Sequence, residues 1–482
     1  MRYLWSIALL TGVLPAMRAA ICDDSLFTAG FGLVRLYEPT AAPTEVVLFI
    51  SGDGGWKHEV ADMAKLLREQ GALVAGVDIR AYFRGVRSAA EKCFYPAGDF
   101  EELSKAVQQR AHLPAYQTPL LAGISSGATL VYALLAEAPH GTFRGGISLG
   151  FCPELEIEKE PCRGNSLHCY RVGAPAPAWK LQPDAAIQTP WYVLQGTNDQ
   201  CCALEKAQAF VEQIPGAKLV QLPGVGHGFS VRKNWVTQFR ASFLQLRARP
   251  EKANDSGVRV ARPAAFMAAA ASGGPAPEAL SDLPLIFTPP SPTAVSDRLV
   301  VLLSGDGGWK DFDQGIADGL AAQGMPVVGL NTLQYFWSER SPESAAWDLT
   351  RIMQVYTRQY GKKSVVLAGY SFGAEVLPFL YNRLNDREKA LVHGMALLSP
   401  GDKADFAFHF SAWLNRSSAQ ARPLAPELEK MNRCRTLFLF GSEEDTAWVR
   451  VLIGERFSLK VLKGGHHYGG NTQALSALIA AQ

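Results

Sequence analysis

The chain carries almost no net charge for its size: 47 Lys and Arg against 45 Asp and Glu leave +2. That balance removes the electrostatic footprint of a nucleic-acid partner, and none is expected. Beyond the N-terminus no apolar run approaches the ~20 residues of a membrane-spanning helix. There is no Cys-x2-Cys pair of the kind that structural zinc sites use, so no metal and no cofactor are expected. The second half has almost no cysteine. Cys434 stands alone there, while Cys22, Cys93, Cys152, Cys162, Cys169, Cys201 and Cys202 fall in the first half.

What is present reads as globular: 48% apolar and 19% charged residues, too apolar for disorder. Arg2, an apolar run from Leu4 to Leu14, Pro15 and the small residues up to Ala20 describe a secretory signal over 1–20, cleaved near Ala19 or Ala20. Cys22 follows Ala19-Ala20-Ile21, which lacks the lipoprotein pattern. Export permits disulfides. At least one is expected in the first half and none in the second, with a zinc site at Cys152, Cys162 and Cys169 as the competing reading.

An internal duplication dominates the sequence. Ser-Gly-Asp-Gly-Gly-Trp-Lys occurs at Ser51–Lys57 and again at Ser304–Lys310. Gly123-Ile-Ser125-Ser-Gly127 is answered by Gly369-Tyr-Ser371-Phe-Gly373, Gly196–Asp199 by Gly441–Asp445, and His227 by His466-His467. Two domains of about 200 residues follow, each long enough for its own core. They are placed at 26–246 and 278–482, around an Ala/Pro-rich linker at 247–277.

Short apolar strands alternate with helices in both copies, which implies an α/β fold with a mostly parallel sheet flanked by helices. In the second copy the pattern predicts a helix over Phe312–Gln323 ended by Gly324, and another over Pro342–Tyr360 capped by Ser341. A strand ending in proline precedes the first parallel strand of each copy, at Gly32–Pro39 and Leu283–Pro289.

The chemistry lies in three loops. Gly-x-Ser-x-Gly between a strand and a helix is a nucleophile elbow, which makes Ser371 and Ser125 the nucleophiles. Serine needs a base. Aligning Leu222–His227 with Leu462–His467 pairs His227 with His467 and selects it over His466. The acid that orients the imidazole is Asp199 in the first copy. In the second, Asp445 aligns as an aspartate, while Glu444 keeps the spacing from the glycine. The repeated glycine loop is placed to supply oxyanion donors at Gly307, with the Phe372 amide as the second. Phe406, Phe408 and Phe410 alternate before Trp413, a strand with one aromatic face. Phe408 and Trp413 are read either as cap packing or as an apolar wall for a lipid.

These motifs together resemble the VirJ/AcvB family of bacterial virulence proteins. They are the Ser-Gly-Asp-Gly-Gly-Trp loop, the Gly-Tyr-Ser371-Phe-Gly-Ala-Glu-Val elbow and Gly-Gly-His-His-Tyr-Gly-Gly. The two-copy exported architecture is similar to AcvB, and VirJ resembles the second copy. The resemblance implies tandem α/β-hydrolase domains in the periplasm. It also implies a serine esterase that cleaves the aminoacyl ester of lysyl- or alanyl-phosphatidylglycerol at the membrane surface, with secretion-system proteins as further partners. Asp306 would then read the substrate's cation. A general carboxylesterase or lipase, and a type IV secretion-associated binding protein on a hydrolase fold, are the alternatives.

Overall fold

A computed structural model describes residues 24–90, 93–162, 167–173, 178–249, 280–407, 421–431, 433–453 and 456–482. The expected leader, Cys22, nearly all of the linker, Phe408 and Trp413 lie outside those residues.

The main sheet of the first domain contains β1 (Asp24–Thr28), β2 (Gly32–Tyr37), β3 (Glu45–Ile50), β4 (Ala72–Val77), β5 (Leu120–Ile124), β6 (Gly145–Leu149), β7 (Trp191–Gly196) and β8 (Ala217–Leu222). Its order is β1-β2-β4-β3-β5-β6-β7-β8. The second domain has β9 (Leu285–Thr288), β10 (Arg298–Leu303), β11 (Val327–Leu330), β12 (Ser364–Tyr370), β13 (Val392–Leu398), β14 (Thr436–Gly441) and β15 (Phe457–Leu462). It repeats the order as β9-β11-β10-β12-β13-β14-β15. The proline-ended strands β2 and β9 run antiparallel to β4 and β11, and the strands that follow them pair in parallel. These are duplicated α/β-hydrolase sheets.

Both faces of each sheet are covered. Along β3, Val46, Leu48 and Ile50 join the core with α2 (Ile79–Ser88), α3 (Pro96–Arg110) and α4 (Ser126–Glu137), while Val47 and Phe49 face α1 (His58–Arg68) and α5 (Val236–Ala248). Period-two alternation and two apolar faces explain why these strands read as continuous hydrophobic runs. The second domain does the same with Leu299 and Val301 against Val300 and Leu302. Helix α6 (Asp311–Ala321) ends before Gly324 at φ +81°, and α7 (Pro342–Gln359) starts where the Ser341 side chain accepts from the Ser344 amide.

The repeated heptapeptide is fixed residue by residue. Ser51 and Ser304 accept through Oγ from the amides of Ile79 and Thr332. Gly55 and Gly308 hold φ of +74° and +76°, which disfavours any side chain. Trp56 and Trp309 lie over Gly76 and Gly329 of the neighbouring strand, where a Cβ would come within 2.3 and 2.2 Å of the indole. The tryptophans are therefore packing residues.

Phe406, first of the alternating phenylalanines, is buried against Phe336 and Phe379. Disulfides join Cys93 to Cys162 and Cys152 to Cys202, while Cys434 is free and buried. The zinc reading fails, because two of its three cysteines are bonded elsewhere. Replacing either disulfide by an alanine pair should lower the stability of the first domain by ~2–5 kcal/mol. Chemical denaturation of each full-length variant measures this, and an unchanged midpoint would remove the assignment.

Candidate active site

Each elbow is built by close approach. Ser125 and Ser371 sit at φ +56° and +49°, a conformation that costs about 1–3 kcal/mol and persists only where packing enforces it. The flanking glycines supply that packing and keep negative φ themselves. A Cβ on Gly127 would lie 2.4 Å from the Ile50 carbonyl, and one on Gly373 2.4 Å from that of Leu303. Each serine amide bonds to the end of the next strand, Ser125 to Leu149 and Ser371 to Leu398. The serine thus stands above the sheet at the first turn of α4, or of α8 (Phe372–Arg383) in the second domain.

In the first copy the three predicted residues meet. Ser125 Oγ lies 2.9 Å from His227 Nε2, and His227 Nδ1 lies 2.9 Å from Asp199 Oδ2. The Asp199 side chain is fully buried, and the amides of Cys201 and Cys202 donate to its other oxygen. Gln195 Nε2, 3.3 Å from Oδ2, steadies the carboxylate. This places an imidazole nitrogen against the serine and a carboxylate behind the imidazole, which is the arrangement nucleophilic catalysis needs.

The second copy is arranged differently from the sequence expectation. His466, not His467, pairs with an acid, and the acid is Glu444, at 2.8 Å from Nδ1. Asp445 is exposed and accepts from the Ala447 amide. His467 packs edge-on against Phe312. Register gives the reason. The Asn198 amide bonds to the Val225 carbonyl, and the equivalent Glu443 amide bonds to that of Gly464. Val225 and Gly464 each stand two residues before the histidine, so the second loop is one residue shorter after its strand. Counting from Leu462 oversteps by one. Glu444 likewise keeps the three-residue spacing from Gly441, and its extra methylene spans the same gap. Burial pushes the Glu444 carboxyl up, but hydrogen bonds from Ser399, the Gly441 amide and His466 outweigh it and hold it below its ordinary range. Burial, then the neighbouring His466, pushes His467 down.

Ser371, Glu444 and His466 line one open cavity of about 590 Å³ with Glu375, Asp402, Asp445 and Trp448. No hydrogen bond yet joins Ser371 to His466; such contacts often tighten only when substrate binds. Glu375, one turn after Ser371, accepts from the Gly401 amide. Burial is the main reason its carboxyl rises to about 8; the Gly401 amide opposes the rise and the charges of Asp306, Asp402 and Asp405 add to it. Thr129 holds this position in the first copy.

The glycine loops lie against the serines, but through a different glycine than expected. A Cβ on Gly52 would meet that of Ser125 at 2.8 Å, and one on Gly305 that of Ser371 at 3.6 Å. Gly307 instead faces the Glu101 carboxylate of the first domain. Phe372 opens α8 directly after the nucleophile, as expected. Asp306 is exposed at the tip of the loop, close enough to act electrostatically on Glu375 and His467. Sequence reasoning missed Glu375, Ser399 and Gln195, and it weighed His466 and Glu444 but preferred their neighbours. The Ser-Phe-Gly-Ala-Glu spacing, one helical turn, was the signal available for Glu375. Among the described residues the one cluster with metal-ligand geometry is Asp199, Cys202 and His227. It is the acid and base of the first copy's triad with a disulfide-bonded sulfur.

Several solved structures are similar to part of the chain at low identity. Est1E from Butyrivibrio proteoclasticus is 15% identical, with 47% of this chain and 99% of that one covered, at a TM-score of 0.32. XC6422 from Xanthomonas campestris, described as an α/β serine hydrolase without a lid, is 21% identical over 46% and 93%, at 0.31. Dienelactone hydrolase from Anabaena variabilis is 16% identical over 46% and 94%, at 0.32. No curated protein matches the chain in sequence. A family model described as TAP-like protein matches residues 161–256. The model described as bacterial virulence protein (VirJ) matches 44–144 and 297–482. Those two regions fall one in each copy, contain both heptapeptides, the Ser371 elbow and its acid and histidine loops, and exceed half of the sequence: the chain belongs to the bacterial virulence protein (VirJ) family.

Proposed function

We propose that the chain is a serine carboxylic-ester hydrolase, and that its second domain cleaves the aminoacyl ester of aminoacylated phosphatidylglycerol in the periplasm after removal of the leader. The observation that carries the hydrolase reading is the Ser125–His227–Asp199 relay, together with Ser371, His466 and Glu444 at the same positions of the second sheet. The serine oxygen adds to the ester carbonyl while histidine takes its proton. The carboxylate stabilises the imidazolium. Backbone amides of the glycine loop and of the first residue of the elbow helix face the developing oxyanion, each worth ~3 kcal/mol in comparable sites. Collapse releases the alcohol, phosphatidylglycerol, with the proton from histidine. Water then repeats the sequence on the acyl-serine and frees the amino acid.

Support for a cationic acyl group comes from the carboxylates around Ser371. Glu375, Asp402 and Asp445 line the cavity, with Asp306 nearby. An ammonium on the acyl chain lowers the cost of ionising the buried Glu375. After hydrolysis the new carboxylate meets the same acidic wall, which favours release. Binding at this distance from the scissile bond accelerates chemistry when it orients the ester. Secretion-system proteins remain proposed partners through family membership. A second reading, a general carboxylesterase, is favoured for the first copy: Thr129 stands where Glu375 does, and its hydroxyl is spent on the Cys152 carbonyl.

A serine-directed fluorophosphonate should label the full chain at Ser125 and Ser371. Either serine-to-alanine variant should keep one label and the double variant none. With a neutral ester, Glu444→Gln and His466→Ala should each lower second-site turnover by at least ~100-fold, and Asp445→Asn by less than ~3-fold. Turnover in the double serine variant would end the hydrolase reading. A larger loss in Asp445→Asn would reverse the acid assignment.

Glu375 is protonated below a pH of about 8 and ionised above it. The test pairs an ester whose acyl chain carries a quaternary ammonium with its neutral tert-butyl isostere. The ratio of their kcat/KM values should rise as pH increases through about 8, because the ionised form attracts the cation. Glu375→Gln should flatten that ratio. A ratio independent of pH in the unmodified protein would remove Glu375 from cation recognition.

A further inference from the structure

The glycine loop of the second copy is covered by the first domain, whereas the first copy's own loop is open. Lys310 closes the second heptapeptide. Its Nζ lies 3.1 Å from Glu101 Oε1 on α3 and 2.9 Å from Thr142 Oγ1 after α4. Both partners of that ion pair retain only 15% side-chain exposure. The next residue, Asp311, accepts from the His140 amide. Lys57, the same residue of the first heptapeptide, is exposed.

A second contact grips the other side of the elbow. Trp337 is buried, donates its indole N–H to the Leu113 carbonyl at 2.8 Å, and packs against Tyr116. Its neighbour Phe336 packs edge-on against Phe372, the residue whose amide follows Ser371. The first copy has exposed Arg84 at that position. A lysine and a tryptophan of the second copy therefore each contact the first domain, one on each of the two segments that flank Ser371.

We propose that the first domain is a built-in positioning partner of the second active site, with Glu101 and Lys310 holding the 304–310 loop in the geometry that accepts the oxyanion. This rests on Ser371 being the nucleophile. Lys310 and Glu101 are positioning residues and touch no reacting atom. A loop released on one side shifts its amides by an ångström or less, which in such sites lowers rates by one to two orders of magnitude.

The test uses the full chain. In a Ser125→Ala background, Glu101→Gln and Lys310→Met should each slow fluorophosphonate inactivation of Ser371 about tenfold. Lys310→Arg, which keeps the charge, should stay within about twofold. In a Ser371→Ala background the same substitutions should leave inactivation of Ser125 unchanged. Hydrogen exchange is read in parallel on the unsubstituted serines: amides 305–308 should exchange faster in Glu101→Gln, and amides 52–55 should not. Unchanged exchange at 305–308, or equal slowing of both serines, overturns the proposal. A Ser371 that never labels, with the exchange effect present, overturns the nucleophile assignment and leaves the loop contact standing.

Discussion

Everything catalytic in this chain depends on one steric contact, made twice. The first turn of the helix after the serine is pressed onto the last carbonyl of the central strand, Ile50 or Leu303, with no room for a side chain between them. That contact holds the serine in its strained conformation and places the helix amides beside it. The glycine loop leaves the same strand end, so one packing event sets nucleophile and oxyanion donors together. The histidine and acid loops come from later strands and need only reach that point. They can vary in length without disturbing it.

The divergence of the two copies follows this division. The acid of the first copy is steadied by Gln195 and by amides of the Cys201-Cys202 segment. In the second, Phe440 replaces Gln195 and the glutamate is held by Ser399 and the Gly441 amide. Ser399 also bonds to Tyr468, whose hydroxyl donates to the Leu439 carbonyl. Two different networks thus deliver a carboxylate oxygen to the same imidazole nitrogen. Networks of this kind act as units, and a single deletion costs more than the pair it breaks.

Much of the fold was legible because it rests on local rules. Apolar runs marked the strands, Ser341 with Pro342 and Gly324 marked helix ends, and the repeat gave the copies. The two serines could be read because an elbow is contiguous in sequence. For the acid of the second copy, spacing from Gly441 favoured Glu444 and residue type favoured Asp445; for its base, counting alone pointed to the wrong histidine. Which of His466 and His467 meets the acid depends on a one-residue difference in loop length. Which of Glu444 and Asp445 faces the imidazole depends on a turn that hydrogen-bonds to a distant loop. Adjacent residues of the same chemical type carry no local mark of direction. The choice of Gly307 failed for the same reason: distance to the serine, which Gly305 approaches, is a tertiary quantity.

The indole over Gly76 and Gly329 has a consequence for how such a duplicated chain drifts. A bulkier residue beneath the ring expels it, and a smaller ring above leaves a void, so neither position can change first without loss. A pair locked in this way can be crossed only by two simultaneous substitutions. The acid position is open to single steps, because aspartate and glutamate both reach the histidine from an adjustable loop. After duplication the heptapeptide with its tryptophan has stayed identical in both copies, while the acid, its supports and the residue one turn after the serine differ. The most invariant stretch of the sequence records a packing constraint, and the chemistry is written in the residues that were free to move.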